Sequence, residues 1–316
     1  MASTPKAIHQ TKNGLTVGHA GFAARSDADG TASPPQATHD GDTLNVRAIG
    51  NFGVRSLGVD TPEVSLPLPS DKNKFLSIGG SEWVAFLATP PTAASTKPSL
   101  DPALLAHLAQ RFGPDAAKNH AQAAEGARAR YIALLKADRD KLGKSDADFR
   151  FFLAFATEVI DRYGRMLAYV NPDQPNVPKA QRLKSYNERL LADGWAFPYF
   201  IWPNVNPFRK QPSLLDAVPN STAKLKDPTL DGARAAVKAA RAGKQGVFAY
   251  TQDIIEPFEL RYLSRGAPPD RWVINLASNQ MKIYSPQKYH TIPTEDRLWV
   301  PAEYVELFVS KGWTKD

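Results

Sequence analysis

The chain has 316 residues, 42% hydrophobic and 22% charged, which is enough for one large domain or two modest ones with a buried core. Its 39 Lys and Arg against 32 Asp and Glu give a formal charge of +7, which favours polyanionic partners such as nucleic acid, although many unrelated proteins share this balance. The lack of cysteine excludes disulfides, zinc–thiolate sites and thiol nucleophiles, and no segment approaches the roughly 20 apolar residues of a membrane span.

Residues 1–35 are predicted to be a loosely held lead-in, because they are mostly polar and end near a "TASPPQ" linker. They lack the continuous apolar core of a secretory signal, so we expect a cytoplasmic protein. Export stays open if the start of this chain is incomplete.

The segment from Thr43 to Val59 predicts two strands around a turn at Gly50–Gly53. An irregular stretch follows to about residue 98, and "EWVAFLATP" within it predicts one strand.

Two helices are predicted next. The segment "DPALLAHLAQRFG" places Asp101 at the N-cap, Pro102 in the first turn and Gly113 at the end. Its buried stripe would consist of Leu104, Leu105 and Leu108. The segment "PDAAKNHAQAAEGARARYIALLKAD" is a longer helix, since its apolar residues recur at three- and four-residue steps.

The remaining chain alternates strands and helices. "FRFFLAFATEVIDRYGRMLAYV" predicts two strands joined by a turn at Asp161–Gly164, and two further helices are predicted to end at Gly194 and Gly243. Past Tyr250, "RWVINLAS", "MKIYS" and "RLWVP" predict short strands and "AEYVELFVSKGW" a terminal helix. Residues 250–316 therefore form a C-terminal extension, either a small subdomain or a lid on the main domain.

Four acidic residues fall close together early in the chain: Asp40 and Asp42 in "DGDT", then Asp60 and Glu63 in "VDTPEV". Each stretch alone is typical of an ordinary turn. If the two predicted strands pair, however, Asp42 and Asp60 meet at one end of a sheet, where two carboxylates are tolerated mainly with a cation between them. Oxygen ligands favour Ca²⁺ or Mg²⁺ over zinc, and the carbonyl of Thr61 would add a third oxygen.

The ordered series "DGDT", Arg55 five residues before "DTPE", "DRYGRMLAYV" and "NERLLADGWA" resembles the staphylococcal nuclease (thermonuclease) family. The match covers about residues 36–66 and 113–245, so relative to the family residues 67–112 are an insert. The apolar content of this insert leads us to expect a structural cover, although contact with a substrate or restricted access to strand ends is left open. The resemblance implies an α+β fold over residues 36–249, with a five-stranded OB-fold barrel and about three helices. It also implies a calcium-dependent nuclease, with Mg²⁺ as an alternative ion, that hydrolyses DNA and RNA and leaves 3'-phosphate ends.

The resemblance also implies roles for individual residues. The metal ligands would be Asp42, Asp60 and the carbonyl of Thr61, with Asp40 supporting the metal as a nearby carboxylate. The catalytic groups would be Glu63 as general base and Arg55 and Arg165 as the phosphate-binding pair. The contacts to a terminal phosphate would be Arg162, where the family has lysine, and Tyr163.

Some alternatives stay open. Phe200 and Trp202 replace family tyrosines, so they are either stacking faces for bases or core residues. Basic segments such as "PKAQRLK" are either a track for nucleic acid or solvated helix faces. A second hypothesis is a catalytically silent OB-fold module that binds nucleic acid, although all six central positions carry the residue type needed for activity. A third is that the extension carries the nuclease to a partner. We expect a monomer.

Overall fold

The structure, a computed structural model, describes residues 6–11, 16–23, 33–37, 46–48, 50–205, 213–225 and 228–316. These residues form a mixed α+β architecture, which confirms the predicted class. None of the sheets formed within these ranges closes into a barrel, so the five-stranded OB barrel is not confirmed.

The α-helices within those ranges are short apart from two. They are α1 (Pro34–Ala37), α2 (Ser81–Leu87), α3 (Pro102–Ala109), α4 (Ala116–Lys141), α5 (Tyr186–Ala192), α6 (Leu214–Ala217), α7 (Pro228–Ala242), α8 (Pro257–Arg265) and α9 (Val305–Val309).

The strands fall in three stretches of the described chain, residues 8–77, 151–201 and 272–315. They are β1 (Ile8–Gln10), β2 (Thr16–Gly18), β3 (Ala20–Phe22), β4 (Val46–Ala48), β5 (Val54–Ser56), β6 (Gly58–Asp60), β7 (Ser65–Leu68), β8 (Asp71–Ser77), β9 (Phe151–Ile160), β10 (Met166–Pro172), β11 (Phe197–Ile201), β12 (Trp272–Asn275), β13 (Lys282–Tyr284), β14 (Arg297–Val300) and β15 (Thr314–Lys315).

The largest sheet has six strands in the order β15-β13-β12-β14-β11-β6. Strand β11 joins its two parts, because it pairs parallel to β14 and antiparallel to β6, with Phe197 opposite Asp60. Residues 250–316 thus supply four of the six strands. A second sheet has the order β5-β10-β9, and three two-stranded sheets are formed by β1-β2, β3-β4 and β7-β8.

The chain divides into two compact units. A smaller unit takes its residues from Met1–Ser56 and Glu158–Ala168, and a larger unit from Leu57–Thr157 and Tyr169–Asp316. Within the larger unit, the extension shares a sheet with the segment that carries Asp60.

The pairing expected between the two strands after Thr43 is not found in the described part of the chain. Strand β4 pairs antiparallel with β3, whereas β5 pairs parallel with β10. Strand β10 pairs along one edge of β5, and the amide of Met166 donates to the carbonyl of Gly53 at 2.8 Å just before β5 begins. The sheet-end argument for Asp42 and Asp60 therefore gains no support from these pairings.

The strand predicted for "EWVAFLATP" is wrong, because this segment forms helix α2. Trp83 and Leu87 are both fully buried, and their spacing of four residues puts them on one helical face. They pack in a core with Leu104 and Leu108 of α3 and with residues of the extension such as Tyr262. The insert is therefore packed into a core that it shares with the extension, whereas its role as a cover stays a prediction.

The other helix predictions are confirmed with shifted ends. Helix α3 begins at Pro102 after Asp101, although the Asp101 side chain makes no capping hydrogen bond. Helix α5 begins only at Tyr186, where Ser185 and Glu188 form a reciprocal capping box. The terminal helix shrinks to α9, with a 3₁₀ turn before it.

Phe200 and Trp202 are core residues, 4% and 2% exposed, so they offer no face to a stacking base. The ring of Trp202 contacts Tyr304 and Phe308 edge-on, each at 5.0 Å between centroids. The core interpretation is confirmed and the stacking interpretation is wrong. The aromatic residue of β11 that stays half-exposed is Tyr199.

Helix α4 approaches Trp195 closely at Gly126, where a Cβ would lie 2.2 Å from Cζ3 and 2.4 Å from Cη2 of the indole. Alanine is normally favoured over glycine in a helix by about 1 kcal/mol. Here we expect Gly126→Ala to destabilise the chain by about 1–3 kcal/mol, measured by urea unfolding, because the rigid ring must shift.

The matched control is Gly232→Ala in α7, where a Cβ meets nothing within 4 Å. It is expected to be neutral or stabilising. Equal gains in stability from both substitutions would contradict the packing of Trp195 on α4.

Candidate functional site

Asp60 is the last residue of β6, at the edge of the six-stranded sheet, and its side chain is almost fully buried. The chain then turns through Thr61 and Pro62 to Glu63 before β7 begins at Ser65. Pro62 fixes its own φ and restricts Thr61, which favours a defined bend here. Two carboxylates three residues apart are thereby held at the end of one strand.

Both carboxylates bind one guanidinium, that of Arg261 in α8. Its Nη1 and Nη2 donate to Oδ1 and Oδ2 of Asp60 at 2.8 and 2.7 Å, and Nη1 also donates to Oε1 of Glu63 at 2.6 Å. The paired side chains are 20% exposed for Arg261, 3% for Asp60 and 26% for Glu63, so the contact is largely shielded from water. A cation does lie between two carboxylates, and it belongs to the chain itself.

The charge of Arg261 is held firmly. Burial disfavours the charged guanidinium, but the attraction and hydrogen bonds of Asp60 outweigh burial and raise the pKa of Arg261. A fork-to-fork contact of this kind combines two parallel charge-assisted hydrogen bonds and is among the stronger polar contacts in proteins.

The ring of Tyr199 lies near this ion pair, and a second arginine contacts the same ring. The Arg261 guanidinium carbon lies 5.6 Å from the ring centre of Tyr199, and that of Arg271 lies 5.2 Å from it. Arg271 also donates to the hydroxyl of Tyr199. Both guanidiniums are therefore in the range where the quadrupole of the Tyr199 ring attracts positive charge.

His120 of α4 supports the backbone of the acidic segment. Its Nε2 accepts a hydrogen bond from the amide of Glu63 at 2.9 Å, which requires the neutral ring with the proton on Nδ1. Complete burial lowers the pKa of His120 to about 4, against smaller opposing effects of the Ile255 backbone and Asp60. The ring thus stays an acceptor at neutral pH and fixes the position of Glu63.

The predicted phosphate-binding arginines lie in the smaller unit. Arg165 follows the β9–β10 turn, and its Nε and Nη2 contact Oδ2 of Asp161 at 2.8 and 2.7 Å. The other oxygen of Asp161 accepts from the amides of Tyr163 and Arg165, so one carboxylate closes the turn and orients the guanidinium. Arg55 lies on β5, in register with Leu167 of β10.

Arg162 and Tyr163 are at the tip of this turn, where both are exposed. Nη2 of Arg162 donates to the Tyr163 hydroxyl at 2.6 Å, and the guanidinium carbons of Arg162 and Arg165 lie 4.8 and 5.4 Å from the Tyr163 ring centre. The turn thus presents two guanidiniums around one aromatic ring.

The structure thus brings the predicted residues together in two groups, one in each unit. Asp60, Thr61 and Glu63 belong to the larger unit, whereas the predicted phosphate-binding residues belong to the smaller one, namely Arg55, Arg162, Tyr163 and Arg165. Asp40 and Asp42 lie outside the described residues. In the parts of the chain that the structure covers, no group of three or more His, Cys, Asp or Glu residues could hold a metal ion, so the calcium site stays a prediction.

Sequence reasoning missed Arg261, His120 and Tyr199 as parts of this site. Arg261 is 201 residues from Asp60 in the chain, within the extension that the family resemblance leaves unexplained. Its segment "FELRYLSR" predicts an amphipathic helix, in which an arginine is normally solvated. The clue that the sequence did contain was an acidic pair that needs a positive partner.

Comparisons with known proteins identify no relative: no protein-family model, curated protein or solved structure matches this chain. None of the helices in the described ranges combines the length and the apolar composition that a membrane span needs. There is no cysteine for a disulfide.

Proposed function

We propose that the chain is a metal-dependent nuclease that hydrolyses phosphodiester bonds in DNA and RNA and leaves 3'-phosphate ends. The observation that carries the proposal is the convergence of Asp60 and Glu63 on one positive group at the end of β6. A divalent ion requires carboxylate ligands such as Asp60. A general base that activates water requires a carboxylate close to that ion, as Glu63 is close to Asp60. The ordered sequence motifs supply the rest.

The predicted metal ligands fit a hard divalent cation, because they bind through oxygen atoms. Asp60 and Glu63 already share one positive group, the guanidinium of Arg261. Asp42, Asp60 and the carbonyl of Thr61 would hold Ca²⁺ or Mg²⁺, with Asp40 in support. When bound, such an ion neutralises charge that develops on the phosphate and makes a bound water more acidic.

The chain's own residues would perform the remaining steps. Glu63 would take the proton of the attacking water, with its backbone held by His120. Arg55 and Arg165 would bind the non-bridging oxygens of the phosphate, for which planar guanidiniums are well matched. Asp161 limits the freedom of the Arg165 side chain, which lowers the cost of ordering it on the substrate.

Arg162 and Tyr163 would bind a terminal phosphate of the substrate, since they form an exposed cationic and hydroxyl-bearing tip. The OB-type barrel over residues 36–249, the cytoplasmic location and the monomeric state stay parts of the proposal that derive from the sequence.

The second candidate function is a catalytically silent module that binds nucleic acid. The observation that favours it is the same Arg261 contact, because a guanidinium that never leaves Asp60 and Glu63 would keep metal ions out. The basic charge of the chain would serve either function.

The test is digestion of a plasmid and of a short single-stranded oligonucleotide by the full chain, with CaCl₂ or with excess chelator. The nuclease is expected to degrade both substrates only when the cation is present and to leave 3'-phosphate ends. Binding without degradation, unchanged by the chelator, would favour the module and contradict the nuclease.

A further inference from the structure

Arg261 occupies the carboxylate oxygens that the proposed function assigns to a cation and a base. Both oxygens of Asp60 and one of Glu63 accept its hydrogen bonds, at 2.6–2.8 Å. A divalent ion bound by Asp60 would meet this guanidinium at close range. Like charges in a largely shielded site repel strongly, so the two cations are alternatives.

We propose that Arg261 is a tethered counter-cation that competes with a divalent cation for the carboxylates of Asp60 and Glu63. Metal binding then requires the guanidinium to release both acids. The inference rests on the proposed function in that it takes Asp60 as a metal ligand, and it adds a regulator of that site from a part of the chain outside the family resemblance.

The contact of Arg261 with the two acids affects both the protein without metal and the binding of metal. When Arg261 binds Asp60 and Glu63, it neutralises one full charge and leaves these three side chains with a net charge near −1. The apo protein therefore avoids two unpaired acids at the edge of the sheet. The same pairing lowers the apparent affinity for a metal ion. The free energy of metal binding is reduced by the free energy needed to break the three hydrogen bonds of Arg261.

Release of Arg261 breaks few contacts besides those with the two acids. The guanidinium carbon lies 5.6 Å from the ring centre of Tyr199, within reach of a cation–π contact. The Arg261 side chain is also 20% exposed, so a change of rotamer towards solvent does not require the core to open. Release is a local rearrangement of one long side chain.

The experiment measures cation binding by the full chain without nucleic acid. CaCl₂ and MgCl₂ are titrated calorimetrically into the wild type, Arg261→Met and Arg271→Met, and Tm is recorded at each concentration. We expect Arg261→Met to bind at least one of the two ions about tenfold or more tightly than the wild type. Its Tm should also rise more on cation addition, since ligand binding to the native state stabilises it.

Arg271→Met is the matched control, because Arg271 contacts the same tyrosine but makes no described contact with either carboxylate. It is expected to bind cations like the wild type. Should Arg261→Met fail to fold, Arg261→Lys replaces it. Lysine keeps the charge but loses the planar fork, so its cation affinity should still exceed that of the wild type.

Equal or weaker cation binding by the folded Arg261 variant, including no binding by any variant, overturns the inference. The nuclease digest is scored separately. Tighter cation binding by the variant without cleavage by any form would leave the competition standing and remove the proposed activity. Cleavage by the wild type with unchanged affinity in the variant would remove the competition alone.

Discussion

Replacing Glu63 with glutamine is expected to lower the rate of phosphodiester hydrolysis by about 10²–10⁴-fold, because the amide cannot take the proton of the attacking water. Glutamine keeps the shape of the side chain and can still accept a hydrogen bond from Arg261, while Asp60 retains its own two contacts. The variant should therefore stay folded. Initial rates on a single-stranded oligonucleotide in CaCl₂, together with circular dichroism, measure both properties.

Arg165→Ala is the companion variant, with an expected loss of about 10²–10³-fold from removal of one preorganised charge. Glu82→Gln on α2 and Arg128→Ala on α4 serve as controls, since both side chains are exposed. They should cleave like the wild type. Near-wild-type turnover in folded Glu63→Gln or Arg165→Ala would end the mechanism as proposed.

Local patterns predicted much of the secondary structure. The helical period of α4 and the turn at Asp161–Gly164 follow from residues close in sequence, and the structure has both. The exception, "EWVAFLATP", shows the limit of such patterns. Its apolar residues fit both periods, and the burial of Trp83 and Leu87 against distant parts of the chain decides for the helix.

Long-range pairing was harder to predict. Strand β11 takes β14 as a neighbour, about 100 residues later, and this places the extension in the same sheet as Asp60. Sheet order depends on which edges are covered by partners far along the chain, and a single sequence carries little signal for that choice. The OB barrel expected from the resemblance also depends on pairing between strands that are far apart in the sequence.

The candidate site divides in the same way. Asp60, Glu63 and Arg165 stand out because their local motifs have a common chemical explanation. Arg261 and His120 have no motif, and only the fold brings them to the acidic segment. The sequence did indicate that two nearby carboxylates need a positive partner. It did not indicate that Arg261 is that partner.

A second buried ion pair provides a prediction about stability that is independent of the function. Arg297 at the start of β14 and Glu256 before α8 are both 4% exposed. Nη1 of Arg297 contacts both carboxylate oxygens at 2.9 Å, and its Nε donates to the carbonyl of Ile292 at 2.7 Å. Its guanidinium also lies over the Tyr289 ring. The pair therefore ties β14 to the start of α8 within the core.

We expect Arg297→Met to lower the free energy of unfolding by about 3–5 kcal/mol, because it leaves the Glu256 carboxylate buried without its positive partner. Lys315→Met is the control, since its contact with Glu306 is exposed and worth about 0–1 kcal/mol. Adding Glu256→Gln to Arg297→Met should recover part of the loss, as it removes the unpaired charge. Urea unfolding at pH 7 gives all three values. A loss in the free energy of unfolding as small as that of Lys315→Met would contradict this prediction. It would mean that the Glu256 carboxylate binds water or another cation in the variant, and that β14 packs less tightly against α8 than the contacts indicate.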